Sequence, residues 1–297
     1  MKLLSVIPTM NPLSGGPAQG IRNNIPFWKL FGLEANVLSL DNAESDYIVE
    51  NNTIGIGSVK NKWSYSRKLI PYLLTNLHQY DVVLIHGLWQ YHGYAVLKAI
   101  NILKKKKLPI PKVYIMPHGM LDPYFQQAAD RRLKAIRNKV YWHLIEKKGI
   151  NNADGILFTC EEELKLAETT FSNYLPKATY NIGYGIIPPP DFTPLQQAAF
   201  LSNCKTLAGK PYFLFLSRIH TKKGVDILLQ AYFTCCQICK DKNIVIPDLV
   251  VAGPGLETDY GKELLLFVAN KLEFKQKVHF SGMLQGDAKW GALYGAE

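Results

Sequence analysis

Two cationic side chains follow a predicted strand in the second half of the chain. Arg218 comes directly after the apolar run Tyr212–Ser217, and Lys223 precedes the next predicted helix. A guanidinium and an ammonium beside a helix N-terminus can hold a diphosphate and stabilise it as a leaving group. The spacing therefore predicts an anion site at Arg218 and Lys223. A solvated basic loop is the alternative, although it is less common for an arginine that closes an apolar strand.

Glycine-rich turns follow other predicted strands. Gly15 and Gly16 stand between the first strand and its helix, where the backbone can approach a ligand and the helix offers free N–H groups to an anion. Gly253 and Gly255 follow one strand of the second half, and Gly282 follows the next. Each turn alone is routine, and the dinucleotide pattern Gly-x-Gly-x-x-Gly is absent from the first loop. Their repetition at equivalent places predicts loops that surround a nucleotide.

A histidine stands just beyond another predicted strand. His118 follows the run Lys112–Met116 after one proline, which places it at the crevice where open α/β sheets bind ligands. A neutral imidazole there can hydrogen-bond a sugar hydroxyl or stabilise a developing charge. A loop histidine that caps a turn is the alternative. His86 occupies the equivalent place after an earlier strand, and the nearby Trp89 would either stack on a sugar or serve as a buried anchor.

The elements that must position these residues alternate between short apolar runs and amphipathic segments. Such alternation predicts a parallel sheet covered by helices. Before residue 188 the predicted strands are Leu3–Pro8, Asn36–Leu40, Asp81–His86, Lys112–Met116, Gly155–Thr159 and Thr179–Ile182. After residue 209 they are Tyr212–Ser217, Asp248–Ala252 and Lys277–Ser281. Both regions are therefore predicted to be Rossmann-like domains of an α/β protein.

Helical spacing assigns apolar faces to three predicted helices. The first helix carries Ile21, Ile25 and Trp28, and Pro26 should kink it. A later helix has an apolar stripe beneath a basic outer face. The stripe consists of Leu133, Ile136, Val140 and Leu144. A helix of the second domain has a face with Leu228, Tyr232, Cys235 and Cys239. These cysteines are expected to be small core residues, because free cysteine is commonly buried and no second ligand pair for a metal lies nearby.

Three successive prolines, at 188–190, interrupt the pattern, because proline donates no backbone hydrogen bond. We place the domain boundary there. The prediction is a first domain over 1–187, a linker over 188–209 and a second domain over 210–297. The second domain offers three strands, whereas a doubly wound nucleotide-binding domain usually has about six. It is therefore expected to be incomplete.

Composition narrows the class of protein. The chain has 297 residues, 47% of them hydrophobic and 20% charged, which is ordinary for a globular protein. No apolar run is long enough to span a membrane, and the N-terminal run leads into a glycine loop without a cleavage site, so a cytoplasmic location is expected. Five unevenly placed cysteines argue against a disulfide framework. The net charge of +10 suits an anionic partner, but zinc-finger spacing and RNP-like aromatic stretches are missing, which disfavours nucleic acid.

These motifs together resemble those of retaining glycosyltransferase family 4, the group 1 glycosyltransferases, whose GT-B fold has two Rossmann-like domains. The match runs along nearly the whole chain, and each motif alone is weak whereas their order is specific. The matching segments are Gly15-Gly16-Pro17-Ala18, Pro117-His118-Gly119, Arg218, Lys223-Gly224, Ala252-Gly253-Pro254-Gly255 and Val278-His279-Phe280-Ser281-Gly282.

The resemblance implies a hexosyltransferase-type reaction that retains configuration. The donor would be a nucleotide-diphosphate sugar and the acceptor a glycan or a lipid-linked glycan, in polysaccharide biosynthesis. Gly16 would approach the donor diphosphate and the acceptor, and His118 would contact the donor sugar near its reacting carbon. Arg218 and Lys223 would bind the diphosphate in place of a metal ion, so no cofactor is expected. The other donor contacts would come from Gly15, Gly253, Gly255, Met283 and Leu284, the last two beside the base.

Two departures from the family pattern bear on activity. Ser217 stands where the family usually has a glycine, and the paired-glutamate motif Glu-x7-Glu is missing, since Glu297 lies too early to begin it. We therefore expect this polypeptide alone to be weakly active or inactive, as a truncated form. A non-catalytic nucleotide-sugar-binding protein and a sugar-nucleotide epimerase of similar fold remain open alternatives. The basic segment 131–148 suits peripheral contact with a membrane, where family relatives usually place their acceptor-binding face.

Overall fold

The computed structural model describes residues 1–49, 53–58, 63–128, 131–207 and 209–297. The chain divides into two compact units, Met1–Ile187 and Pro188–Glu297. We call them the first and the second unit. Each has a parallel sheet and a hydrophobic core of its own.

The described residues of the first unit form a seven-stranded sheet with the order β3-β2-β1-β4-β5-β6-β7. Its strands are β1 (Lys2–Ile7), β2 (Glu34–Ser39), β3 (Thr53–Gly55), β4 (Val82–His86), β5 (Lys112–Met116), β6 (Gly155–Phe158) and β7 (Thr179–Asn181). All neighbours are parallel. The six predicted strands are present, with ends shifted by at most two residues. The edge strand β3 was not predicted, because its three residues are too few to show a pattern.

Eight α-helices accompany this sheet in the described ranges. They are α1 (Gly16–Leu30), α2 (Asp46–Val49), α3 (Leu69–Asn76), α4 (Tyr91–Lys105), α5 (Tyr124–Gln127), α6 (Arg132–Tyr141), α7 (Lys147–Asn152) and α8 (Glu161–Thr170). A π-helical turn, Trp142–Glu146, joins α6 to α7. In α1 the side chain of Ile21 is buried and those of Ile25 and Trp28 pack against the same cluster, as the spacing predicts. The helix continues past Pro26 to its end at Leu30.

The apolar stripe predicted to lie beneath the basic face of α6 is instead exposed. Its members have large exposed fractions: Leu133 84%, Ile136 60%, Val140 54% and Leu144 75%. The opposite face carries the fully buried Trp142, whose ring stacks on Phe171 with centroids 4.7 Å apart. Burial of so large an aromatic ring determines which face turns inward. The four aliphatic side chains of the α6 stripe therefore face outward.

The described residues of the second unit form a three-stranded parallel sheet with the order β10-β9-β8. Its strands are β8 (Tyr212–Leu216), β9 (Asp248–Ala252) and β10 (Val278–Gly282). Its helices are α9 (Pro194–Asn203), α10 (Val225–Asp241), α11 (Asp259–Ala269) and α12 (Gly286–Tyr294). All three predicted strands are present, and β9 has the predicted bounds. The sheet is compatible with a Rossmann-like βαβ pattern.

The segment expected to be a linker, 188–209, belongs to the second unit and contains α9. Thr193 and Gln196 form a capping box that begins this helix. Phe200 is 1% exposed and packs in a cluster with Tyr212 of β8 and Ala292 of α12. Apolar burial thus places most of this segment within the folded unit, because a linker would leave such side chains in water.

The buried face of α10 differs from the predicted one by one position. Phe233 and Cys236 are buried, together with Tyr232, whereas Cys235 is exposed and Cys239 is intermediate. All five cysteines are free thiols. Among the described residues no group of three or more His, Cys, Asp or Glu side chains could hold a metal ion. Within those same ranges, no helix combines the length and apolarity needed to cross a bilayer.

Candidate functional site

The carboxyl ends of the strands of the first unit meet at one edge of the sheet. Because all strands are parallel, the segments that follow β1, β4, β5 and β6 lie along this edge. The direction of strand addition reverses between β1 and β4, and such a switch point is where open α/β sheets bind ligands. The predicted residues Gly15, Gly16 and His118 all follow strands at this edge.

A partly buried turn fixes the path from β1 to α1. The carboxylate of Asp41 accepts hydrogen bonds from Thr9 Oγ1 and from the backbone N–H of Met10, both at 2.7 Å. Gly15 follows as the N-cap of α1 with φ +89°, in the region that favours glycine. Gly16 begins the helix, so its neighbourhood offers free N–H groups toward the cleft.

His118 is held by a second histidine. His118 Nε2 and His86 Nδ1 are 3.0 Å apart, and their rings stack with centroids 5.2 Å apart. The backbone of His118 has φ +54°, an uncommon conformation for a residue other than glycine. Such strain is concentrated at functional sites, where the surrounding contacts over-determine the geometry. Here the contact with His86 orients the imidazole.

A buried carboxylate joins the segments that follow β5 and β6. Glu163 is 8% exposed and accepts the N–H of Gly119 at 2.6 Å, the N–H of Thr159 at 2.9 Å and the Thr159 hydroxyl at 2.6 Å. Sequence reasoning did not single out Glu163. Its signal is the third helical position of α8, after the N-cap Cys160, where a glutamate commonly bonds back to preceding N–H groups.

Gly16 and His118 line one cleft of about 390 Å³. The other lining residues are Pro17, Gly119, Asp122, Thr159, Cys160, Glu162, Glu163, Leu166 and Tyr184. The hydroxyl of Tyr184 donates to the carbonyl of Gly16, and its ring meets that of His118 edge-on at 6.4 Å. Tyr184 was also missed, although it stands between two glycines just after β7. Two of the predicted residues thus come together in a pocket at the expected edge of the sheet.

The imidazoles beside this cleft are neutral at physiological pH. Burial lowers the pKa of His118 to about 4, although the nearby Glu163 acts in the opposite direction. The pKa of His86 is lowered well below its usual value by burial and by the neighbouring His118 and His92. A neutral imidazole both donates and accepts one hydrogen bond. His118 is therefore suited to orient a hydroxyl or to donate to a developing negative charge.

Trp89 is partly buried and packs against the hydrophobic core, and it is not among the residues that line the cleft. Its ring meets Phe171 at 5.5 Å and Tyr141 at 6.1 Å, and its backbone N–H donates to Glu146 Oε1 at 2.8 Å. Glu146 is 2% exposed, and burial raises its pKa to about 7. The segment after β4 is thus held by aromatic packing and by a buried carboxyl group.

Arg218 and Lys223 lie on the segment between β8 and α10, and both are exposed. Lys223 ends a 3-10 turn, Thr221–Lys223, and Gly224 is the N-cap of α10, in a left-handed conformation. Within the residues that the structure describes, neither cation takes part in an ion pair. Both charges therefore remain available to an anion near the N-terminus of α10.

Gly253 and Gly255 pack against the segment that carries Arg218. A Cβ built at Gly253 would overlap the carbonyl oxygen of Ser217, and one at Gly255 would overlap that of Ile219. The N–H of Ser217 donates to Ala252 and that of Ile219 to Pro254, at 3.0 and 2.8 Å. These glycines thus allow two strand-end segments to run side by side, with Arg218 on one of them.

Met283 and Leu284, which were expected beside a nucleotide base, differ in exposure. Met283 is 55% exposed, whereas Leu284 is 6% exposed and packs in the cluster that includes Phe200 and Cys204. Leu284 is therefore a packing residue of the second unit, and its side chain is withdrawn from the surface. Met283 is the member of the pair that a ligand can reach.

Comparison with known proteins reveals similarity in structure. No protein-family model matches the chain, and no curated protein sequence matches it. The chain is similar to HepE of Anabaena, solved in complex with UDP-glucose, with a TM-score of 0.60 and 16% identity over 100% of this chain and 72% of that one. A glycosyltransferase of Rickettsia africae matches with a TM-score of 0.61 and 16% identity over 98% and 70%.

A third solved structure belongs to another enzyme class. The UDP-GlcNAc 2-epimerase of Methanocaldococcus jannaschii matches with a TM-score of 0.52 and 13% identity, over 100% of this chain and 77% of that one. At these identities the likeness shows the fold. The predicted fold class is confirmed: the chain is an α/β protein of the GT-B type, with a seven-stranded parallel sheet and a smaller second sheet.

Proposed function

We propose that the chain is a retaining glycosyltransferase that moves a hexose from a nucleotide-diphosphate sugar to a glycan or lipid-linked acceptor, in polysaccharide biosynthesis. The observation that carries the proposal is the cleft that unites Gly16 with a neutral His118 at the carboxyl edge of a GT-B sheet. Similarity to HepE, which was solved with UDP-glucose, supports a nucleotide sugar as donor.

Each residue has a distinct role in this reaction. The bond between the anomeric carbon and the diphosphate oxygen breaks, a bond to the acceptor hydroxyl oxygen forms, and the hydroxyl proton leaves with the diphosphate. Arg218 and Lys223 neutralise the negative charge that grows on the diphosphate, so no metal ion is needed. The uncharged imidazole of His118 hydrogen-bonds the donor sugar near its reacting carbon. Gly15, Gly16, Gly253, Gly255 and Met283 bring backbone and an apolar side chain close to the donor.

The acceptor side of the proposal includes a membrane. A lipid-linked glycan is presented at a bilayer surface, and the basic segment 131–148 suits peripheral contact with anionic lipid. We therefore place the chain in the cytoplasm, peripherally at the inner face of the membrane.

Binding of a nucleoside diphosphate tests the proposal most directly. Thermal unfolding of the chain is measured with UDP, GDP and ADP, because a ligand selective for the folded state raises Tm. One of the three should stabilise the chain, and Arg218→Ala with Lys223→Ala should abolish that effect. Lys242→Ala, at the far end of α10, is the matched control and should leave it intact. Absence of stabilisation by all three nucleotides would contradict a nucleotide-sugar donor.

Product analysis separates the proposal from its two alternatives. The chain is incubated with the sugar nucleotide whose diphosphate stabilises it, and the products are separated by chromatography. Release of free nucleoside diphosphate supports glycosyl transfer to an acceptor or to water. An epimeric nucleotide sugar would instead identify an epimerase, for which the similarity to the 2-epimerase gives the structural precedent. Binding without any product would speak against an epimerase and would leave a non-catalytic nucleotide-sugar-binding protein and the weak activity expected of this polypeptide alone as the two explanations.

A further inference from the structure

A second cavity of the first unit, of about 570 Å³, lies at the edge of the sheet opposite to the cleft. Its lining includes Val113 at the start of β5 and Asp154 just before β6. His118 and Thr159, which line the cleft, follow the carboxyl ends of the same two strands. Because the strands are parallel, the two sites lie at opposite ends of the same strands.

The lining of this cavity is strongly positive. Its basic members are Lys98, Lys104, Lys105, Lys148 and Lys177. We call the site the lysine cavity. The acidic member is Asp154, whose Oδ2 accepts the N–H of Val113 at 2.8 Å. Within the described ranges none of the five lysines forms an ion pair. Positive charge therefore exceeds negative charge around the cavity, which favours an anion as ligand.

The neutral contacts of the lysines leave most of that charge available. Lys177 Nζ donates to the carbonyl of Asn152 at 2.8 Å, and Lys98 Nζ lies 5.5 Å from the ring centroid of Tyr94. A carbonyl oxygen and an aromatic face both stabilise an ammonium without cancelling its charge. The lysines at 104 and 105 end α4, where the helix dipole also favours cations.

Apolar groups share the cavity with these cations. Leu97, Ile100, Ile110 and Leu144 are among its lining residues. An inorganic anion gains nothing from such walls, whereas an anion attached to an apolar body is stabilised by both kinds of contact. The lining is therefore amphipathic, like the ligand that it fits.

Leu144 links the lysine cavity to the exposed α6 stripe of Leu133, Ile136, Val140 and Leu144. At the helical period, Arg132 and Lys139 flank this stripe on one side and Lys134 and Arg137 on the other. An exposed apolar stripe between basic flanks is typical of a helix that lies in the interface of an anionic bilayer. The stripe and the cavity thus form one continuous surface.

We propose that the lysine cavity binds the phosphate headgroup of an anionic bilayer lipid while the α6 stripe enters the interface beside it. Charge complementarity selects the phosphate, and continuity with the stripe selects a lipid rather than a free anion. The inference rests on the membrane contact in the proposed function and specifies its headgroup site. It does not depend on sugar transfer.

Vesicle co-sedimentation tests the inference. The chain is mixed with vesicles of phosphatidylcholine alone or with ~30% phosphatidylglycerol, an anionic phosphate lipid. The cavity variant carries Lys104→Glu, Lys105→Glu and Lys148→Glu, and the control carries Lys29→Glu, Lys68→Glu and Lys165→Glu. Both triple variants change exposed residues of the first unit and have the same net charge. Their folding is checked by circular dichroism.

The expected results separate the headgroup site from general charge attraction. The unmodified chain should sediment with anionic vesicles and remain in solution with neutral ones. The cavity variant should bind roughly tenfold more weakly and the control within about twofold of the unmodified chain, since only the former loses site-specific contacts. Ile136→Ser with Val140→Ser should also weaken sedimentation, because the stripe no longer enters the interface.

Three outcomes would overturn the inference, and each has a different consequence. Equal binding by the cavity and control variants would refute the headgroup site while membrane contact stands. Failure of the unmodified chain to sediment would refute both, and nucleotide binding would still decide the proposed donor independently. Thermal stabilisation by millimolar inorganic phosphate that is lost in the cavity variant, together with vesicle binding that is not weakened in that variant, would show that the cavity takes a free anion instead.

Discussion

The α-carbon of Gly253 lies so close to the carbonyl oxygen of Ser217 that a side chain at residue 253 would overlap it. Hydrogen bonds on either side, Ser217 N–H to Ala252 and Ile219 N–H to Pro254, keep the two segments parallel. Arg218 stands between these two bonds. The glycine thus positions the arginine through the backbone, without touching its side chain.

Substitution of Gly253 should impair the anion site together with stability. In Gly253→Ala the new methyl group displaces the Ser217 segment, and the φ of +149° is strained for alanine. We expect a loss of about 3 kcal/mol in the free energy of unfolding, measured with urea, and no stabilisation by nucleoside diphosphate. Gly282→Ala is the control, since it has φ +70° but no atom within 4 Å of its Cβ. A loss for Gly253→Ala no larger than for the control would refute this account.

The imidazole of His118 should matter for turnover more than for nucleotide binding. In the proposed reaction it contacts the sugar, so His118→Ala should lower donor turnover about 100-fold and leave stabilisation by nucleoside diphosphate unchanged. His118→Asn, which retains a hydrogen-bond donor and tolerates φ +54° well, should recover some of the rate. Equal rates for the alanine and the unmodified chains would remove His118 from the reaction.

Removal of the Glu163 charge should loosen the cleft. The carboxylate accepts three hydrogen bonds from Gly119 and Thr159, and hydrogen bonds to a charged group contribute about 1.5 to 3 kcal/mol each. We expect Glu163→Gln to lower the free energy of unfolding by about 3 kcal/mol in urea titration, since the amide nitrogen cannot accept. Glu162→Gln is the exposed neighbour on α8 and should change stability by less than about 0.5 kcal/mol.

Glu146 should make stability fall as pH rises. Its folded pKa of about 7 lies above the usual value of 4.5, so the folded state binds the proton more tightly. The resulting stability is present below pH 4.5 and is lost as pH rises through 7. Between about pH 5 and 8 the unmodified chain should lose roughly 2.5 kcal/mol more than Glu146→Gln. Urea titrations across this range measure the difference, and identical slopes would show that Glu146 ionises normally.

The capping box at Thr193 tests whether residues 188–209 belong to the second unit. Loss of an N-cap hydroxyl usually lowers stability by about 1 kcal/mol, so Thr193→Ala should lower the free energy of unfolding by that amount. Thr234→Ala is the matched control, because Thr234 is exposed in the interior of α10 and alanine is the better helix former there. Equal effects of the two variants in thermal unfolding would indicate that α9 contributes nothing to the unit.

Strand positions were the most predictable feature of the fold. β5 and β9 have the predicted bounds, because each is a short apolar run between residues that favour loops. Parallel strands then place Gly16 and His118 at one edge from connectivity alone, and the structure brings both into one cleft. The three-residue β3 had no periodicity to detect.

Side-chain direction was less predictable than element position. The α6 stripe satisfied helical spacing, yet the helix buries the opposite face, because the ring of Trp142 occupies the core there. Helical spacing alone could not show whether the stripe packs on the sheet or faces outward. Glu163 and Tyr184 were missed for a related reason: their roles depend on backbone groups that only the tertiary structure brings near them.

The single carboxylate of Glu163 bonds the segments after β5 and β6 at the same time. A ligand that displaced one of these segments would have to move the other as well. The two segments therefore form one rigid wall of the cleft. Under the proposed function, discrimination among donors would depend on whether a sugar fits a fixed outline, because Tyr184 is likewise tied to the start of α1 by its hydroxyl group.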